Sequence, residues 1–248
     1  MISSVKPALR GKTVQRFNLQ RLIKRLEVLG LGGGLYFMTF FFVENRNTPV
    51  TILHTAFDDM IPFCEYFIIP YFAWFAFVMG TVAFFAVFGK DDREYLRLIS
   101  SLVLGMAVFL AVCFIFPNGQ DLRPDLGEGE NIFQKMCIML YSSDTSTNIL
   151  PSLHCYNAVV CCITLLREKK INSHKFLSAF FVVFTISIML ATLFLKQHTI
   201  IDVIAAVLLN YIAYMLFYKF GILEKFYTVI VKWENIGSTH KRLRKKLR

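Results

Sequence analysis

The chain has 248 residues, of which 56% are hydrophobic and 18% charged, with 26 Phe and a formal net charge of +10. A soluble globule cannot keep that much apolar side chain from water, and the same figures exclude intrinsic disorder, a collagen-like repeat and a small disulfide scaffold. What remains is an all-α polytopic membrane protein folded as a single domain over residues 1–248.

A basic, amphipathic segment covers residues 1–26, and Val14–Leu26 reads as an interfacial helix. Six apolar blocks follow: Val28–Val43, Phe63–Phe88, Leu96–Phe116, Ser152–Leu166, Phe176–Leu195 and Thr199–Phe220. Each is read as a transmembrane helix against the roughly 20 residues needed to cross hydrocarbon; the first and fourth are short. A second interfacial helix is expected at Leu223–Trp233, inside a basic tail over residues 223–248.

Charge orients this six-helix bundle. Of 27 Lys and Arg residues, 23 lie in the N-terminal segment, the second and fourth loops and the C-terminal tail. The other loops hold Arg46, Arg123, Lys135 and Lys196. The positive-inside rule puts both termini in the cytoplasm and loops one, three and five outside. The net charge is then cytoplasmic flank attracted to anionic lipid, so no nucleic-acid partner is expected.

Six Cys are present, and Cys64 and Cys137 alone lie where an outward disulfide could form. No Cys pair has zinc spacing, and no metal or cofactor is expected. Gly30 and Gly34 form a GxxxG in the first span, read as close packing within the monomer rather than a dimer face. A monomer or weak homo-oligomer is the expectation. No internal repeat of the transporter kind is visible.

Polar residues at membrane depth are functional candidates, and here they gather at the outward ends of the spans. Arg123-Pro124 follows the third span, Pro151-Ser152-Leu153-His154 opens the fourth, and Lys196-Gln197-His198 with Asp202 joins the fifth to the sixth. His198 and Asp202 are i and i+4, so both share one face if a helix starts near His198. An Asp accepting from one imidazole N–H leaves the other nitrogen as a nucleophile; the alternative is a structural pair tying the helix end. Pro151-Ser152 reads as a helix start, whose free N–H groups attract anions, with Ser152 adding a hydroxyl and His154 placed to protonate a leaving oxygen. An ordinary cap is the alternative. Arg123 and Lys196 supply fixed positive charge, or else snorkel to the headgroups. Together these residues form an inventory for moving a phosphoryl group through a covalent phosphohistidine without a metal.

The order RP, PSLH, HxxxD across six spans resembles the type 2 phosphatidic acid phosphatase (PAP2) superfamily, whose pattern is KxxxxxxRP, PSGH and SRxxxxxHxxxD. The resemblance runs from Phe116 to Asp202. It implies His198 as nucleophile, Asp202 as its partner, His154 as general acid, and Arg123 and Ser152 as phosphate ligands. Three family positions differ: the Lys is Phe116, the Gly is Leu153, and the Arg is Thr192, preceded by Ala191 in place of Ser. Lys196 is expected to replace one missing charge. PSLH with KQH is closest in style to the inositol phosphorylceramide synthase-like branch, whose members pass the phosphoryl-bearing group to a lipid alcohol. The expected function is a lipid phosphatase at the extracytoplasmic side of the cell membrane, acting on phosphatidate, phosphatidylglycerol phosphate or an isoprenyl diphosphate. Phosphotransfer of inositol phosphorylceramide or sphingomyelin synthase type is the second possibility, and a non-catalytic lipid-binding or transport protein the third.

Overall fold

The computed structural model describes residues 19–223 apart from Lys90, together with residue 225. Most of the expected interfacial helix at Leu223–Trp233, the C-terminal tail and residues 1–18 lie outside the described residues. The chain is mostly helical: α1 (Leu19–Glu44), α2 (Ala56–Met60), α3 (Ile68–Val87), α4 (Asp92–Ile115), α5 (Ile132–Ser143), α6 (Leu153–Arg167), α7 (Lys169–Asn172), α8 (Lys175–Phe194) and α9 (Ile200–Tyr214), the last continuing as a wider helical turn to Lys219. Among the described residues, five stretches are long and apolar enough to cross a membrane: Arg25–Glu44, Glu65–Val87, Asp92–Ile115, Lys175–Phe194 and Ile200–Lys219; Leu153–Arg167 is apolar but shorter.

α6 is the central helix. It packs against α3, α4, α8 and α9 and is buried around most of its circumference, from Cys155 to Leu165. Its small residues, Cys155, Ala158, Cys161, Cys162 and Thr164, let neighbouring backbones approach closely. Tyr156 is the exception in size, and α4 makes room for it at Gly105, where a Cβ would stand 2.1 Å from the Tyr156 ring. The Tyr156 hydroxyl donates to the Ser101 carbonyl (2.7 Å). The outer faces of the bundle carry exposed apolar side chains, such as Phe176, Val183 and Ile186 on α8.

Two features of α1 correct the sequence reading. The interfacial stretch and the first span are continuous from Leu19, and Arg25 is buried instead of lying in a solvated flank. Its guanidinium donates to the Phe85 and Ala86 carbonyls (2.9 and 2.7 Å), pairs with Asp92 and lies over the Tyr95 ring, so it caps the end of α3. Nor does the GxxxG pack against the described part of the bundle: among the described residues, nothing beyond the helix's own nearby backbone comes within 4 Å of a Cβ built at Gly30, Gly32, Gly33 or Gly34. α1 meets α4 instead through Tyr36, Phe40 and Val43 on Phe109 and Cys113, which turns the glycines away.

At the opposite end the connecting segments interlock. β1 (Thr51–Ile52) pairs in parallel with β2 (Asn118–Gly119), Thr51 opposite Asn118. Gly119 bridges Thr147 on the other side, and the fully buried Asn118 accepts the Ile149 and Leu150 N–H groups on Oδ1 (2.9 and 3.0 Å). α5, N-capped by Asn131, lies over the ends of α3 and α8 through Cys137, Leu140, Phe133 and Tyr141. Cys64 and Cys137 are free thiols, and burial pushes the Cys137 thiol up to about 11. These ladders and caps hold the starts of α6 and α9 side by side.

Candidate active site

The start of α6 follows from its sequence. Ser152 is the N-cap, and its Oγ accepts the Cys155 N–H (3.3 Å). The Ser152 N–H donates to the Asp202 carbonyl (3.2 Å), which joins the first turns of α6 and α9. His154 then projects from the first turn between Tyr71 and Trp74 of α3, with ring centroids 4.6 and 4.3 Å away. Its other neighbour is His198, 5.7 Å between centroids.

The segment from α8 to α9 is held on every side. The Thr192 carbonyl accepts the N–H groups of Gln197 and His198 (3.0 and 3.1 Å). The Leu195 carbonyl accepts the Tyr141 hydroxyl (2.9 Å), and the Lys196 carbonyl accepts Gln120 Nε2 (2.9 Å). Lys196 takes a left-handed φ of 52°, which turns the chain sharply there. α9 starts with a reciprocal cap: Asp202 Oδ2 accepts the Thr199 N–H (2.7 Å) while Thr199 Oγ1 accepts the Asp202 N–H (3.4 Å).

That cap corrects one expectation. His198 precedes the helix and does not share a helical face with Asp202; the turn of the capping box brings them together. Asp202 Oδ2 lies 3.5 Å from His198 Nδ1, a close approach outside the range of a good hydrogen bond. Asp202 is fully buried, and its Oδ1 has no protein partner.

Arg123 enters from the loop after β2. Nη1 donates to the Tyr141 and Asp144 carbonyls (3.3 and 2.7 Å), Nη2 to the Thr145 carbonyl and Gln197 Oε1 (both 2.9 Å). The guanidinium thus closes the C-terminal end of α5, where the helix dipole favours a cation, and reaches the residue before His198. Burial lowers its pKa, and it stays cationic. Two N–H donors here are buried without an acceptor, Arg123 Nε and Gln197 Nε2, and Trp74 Nε1 beside His154 is a third. Unpaired buried donors are rare in folded proteins, and these three belong to residues that adjoin the two histidines in space or in sequence.

The sequence-derived residues are therefore brought together with one exception. His198, His154, Asp202, Arg123 and Ser152 converge, whereas the Lys196 amine turns away and donates to the Asp58 carbonyl of α2 (2.6 Å). Thr192, at the family Arg position, is fully buried, with its hydroxyl on the Met189 carbonyl and 3.5 Å from Cys155 Sγ, so no side chain of Arg length fits there. Sequence reasoning missed Tyr71, Trp74, Gln197, Asp58 and Asp144. Gln197 stood between two candidates in an all-polar triplet, and Thr199-x-x-Asp202 carried a capping signature; the aromatic pair was indistinguishable from core. Asp144 receives the Tyr71 hydroxyl (3.4 Å). Although the residue as a whole is exposed, desolvation raises its carboxyl above the usual range, against the opposing pull of His198 and Arg123. Among the described residues, no group of three or more His, Cys, Asp or Glu is placed to hold a metal ion.

Compared with known families, residues 95–222 match the model of the PAP2 superfamily. No curated protein and no solved structure matches.

Proposed function

The chain belongs to the PAP2 superfamily, which supports phosphatase- or phosphotransferase-type chemistry on a phosphorylated substrate, and from that premise we propose that it is a membrane lipid phosphatase working through a phosphohistidine on His198. The observation that carries the reading is the facing pair His154 and His198, backed by Asp202 and bordered by unpaired buried donors. A chain this apolar, with several membrane-length helices, meets its phosphate on a lipid. In this reading α6 is the fourth of six spans, both termini are cytoplasmic, the whole chain is one domain and the site opens on the extracytoplasmic side of the cell membrane. The charge asymmetry supports that orientation.

The proposed chemistry assigns each of these residues a step. Asp202 Oδ2 stands 3.5 Å from His198 Nδ1; a closer approach when substrate binds would keep the proton on Nδ1 and leave the Nε2 lone pair to attack phosphorus. The phosphorus–oxygen bond to the lipid breaks, and His154, as imidazolium, gives its proton to the departing oxygen. Neutral His154 then takes a proton from water, whose oxygen attacks phosphorus and displaces His198 as phosphate forms. Arg123 Nε, Gln197 Nε2 and the hydroxyl of Ser152 meet the charge on the transferring group.

One observation favours a second reading, transfer to a lipid alcohol. The site is poor in free cations: Phe116 and Thr192 stand at two family cation positions, Lys196 is tied to Asp58, and Asp144 lies close enough to His198 for their charges to interact. A dianionic monoester leaving water needs compensating charge, and a monoanionic phosphodiester needs less. Purified protein given phosphorus-labelled phosphatidate should release inorganic phosphate and show an acid-labile phosphoenzyme, both absent in His198→Ala. Label passing from a phosphodiester lipid to a ceramide-like alcohol, without phosphate release, would establish the second reading. A labile phosphoenzyme in His198→Ala would exclude His198 as nucleophile.

A further inference from the structure

We infer that Asp58, in the short helix α2 between α1 and α3, is a positioning residue that sets His198 for attack; the inference rests on the phosphohistidine reading. Asp58 is 1% exposed, and a buried carboxylate persists only where its oxygens find donors. Its Oδ2 accepts the N–H and hydroxyl of Thr55 (2.9 and 2.7 Å), which caps α2. Its Oδ1 crosses to the other loop and accepts the Ile200 N–H (2.8 Å). Its carbonyl accepts the Lys196 amine (2.6 Å). One residue therefore grips the catalytic segment on both sides of His198, two residues before it and two after.

The division of donors at the start of α9 shows what this grip does. An N-terminal helix turn offers several N–H groups with no partner in the helix. Asp202, at the third helical position, is the natural acceptor for them, and it already takes the Thr199 N–H. Asp58 takes the Ile200 N–H, and the unpaired Oδ1 of Asp202 remains uncommitted to the backbone. With Asp58 removed, the freed Ile200 N–H would compete for the Asp202 carboxylate and draw it from His198. The negative charge of Asp58 also suits the positive end of α9. Lys196 acquires a role here in place of the phosphate contact expected from the sequence: its amine ties the left-handed turn before His198 to the same residue.

A positioning defect is visible as a split between kinetic constants. The phosphate donors Arg123 and Ser152 are not on the Asp58 tie, and Gln197, although inside the gripped segment, is also held by Arg123 (2.9 Å), so ground-state binding persists while the nucleophile is misplaced. Asp58→Ala is expected to lower kcat by about 30-fold or more with KM changed by less than about threefold. Asp58→Asn keeps an oxygen for Ile200 and should recover much of that loss. Lys196→Met leaves the carboxylate in place and should lower kcat about tenfold, again with little change in KM. Combined with Asp58→Asn it should cost less than the product of the two single losses, because the Lys196 and Ile200 contacts, made to the carbonyl and the carboxylate of Asp58, position the same histidine. A phosphate-ligand role for Lys196 predicts the reverse, a raised KM and multiplicative losses. A second readout needs no turnover: ethoxyformylation of His198 by diethyl pyrocarbonate, measured by mass spectrometry on monodisperse protein, should rise about threefold or more in Asp58→Ala and Lys196→Met, with exposed His174 as the internal control. Unchanged His198 labelling with unchanged kcat, or a pure KM effect, would overturn the inference. If wild-type protein forms no phosphoenzyme, the proposed function fails instead, and His198 labelling alone decides whether Asp58 holds that loop.

Discussion

Replacing Arg123 by Lys keeps the charge and removes the fork. Four of the five guanidinium N–H groups are committed to Tyr141, Asp144, Thr145 and Gln197, and the fifth, on Nε, is buried without a protein acceptor. An ammonium offers three donors from a single point. It leaves at least one of four acceptors unpaired and cannot place a donor where Nε lies. Hydrogen bonds to charged groups contribute about 1.5–3 kcal/mol each; the carbonyl contacts are part-exposed, so solvent screening puts them at the lower end. In the proposed reaction the missing Nε donor acts on the transferring phosphate, and its loss should lower kcat/KM by about 10–100-fold, or roughly 1.4–2.7 kcal/mol. The loosened end of α5 should lower Tm by a few degrees, about what 1–2 kcal/mol produces in a chain of this size. Phosphate release from phosphatidate in mixed micelles and a thermal melt on the same preparation measure both. Wild-type kcat/KM beside a reduced Tm would refute the phosphate contact and leave Arg123 as a clamp on α5.

His154→Ala should lose about 100-fold on an alkyl lipid phosphate and less than about tenfold on an activated aryl phosphate, since a good leaving group needs no proton; equal losses would assign His154 a packing role between Tyr71 and Trp74. His54 bridges Asp59 (2.7 Å) and Asp121 (2.8 Å), and these bonds raise its pKa above 6.5. The folded state then binds the proton more tightly than the unfolded chain, so the stabilisation is complete below about pH 6.5 and fades as pH rises through the higher folded value. Thermal melts should show wild type losing more Tm than His54→Gln between pH 6 and pH 9 (values spanning the usual imidazole range), and parallel curves would contradict the bridge.

The membrane-length helices were legible because hydropathy is a one-dimensional property: α3, α4, α6, α8 and α9 each fall within a few residues of an apolar block. Their ends are set by single capping groups. Asp91 accepts the Arg93 N–H and starts α4 at Asp92, ahead of the first apolar residue. α1 was divided by sequence because Arg25 and Glu27 interrupt the apolar pattern, whereas in three dimensions Arg25 finds the Phe85 and Ala86 carbonyls. The connections at the site end were opaque for a different reason. β1 and β2 are two residues each and α2 is five, too short for any periodicity, and their partners lie far off in sequence. The HxxxD spacing gave the His198–Asp202 pair, but through a capping turn. Lys196 was assigned by proximity in sequence to His198, and a left-handed residue breaks that inference by sending the side chain elsewhere.

α6 has 15 residues and so rises about 22 Å, against about 30 Å of hydrocarbon in a typical bilayer. In the six-span reading the helix that carries Ser152 and His154 does not reach from one headgroup plane to the other. If that shortfall falls at the Ser152 end, a phosphate resting among its neighbours in the outer leaflet would lie several ångströms above His198. The proposed reaction would then begin with a descent: the headgroup sinks beneath its own layer, or the leaflet thins around the protein to bring it down. The buried donors beside Arg123 and Gln197 offset the water lost on that path. Bilayer thickness thereby enters the activation barrier as a mechanical variable, set by lipid composition and read through the length of one helix.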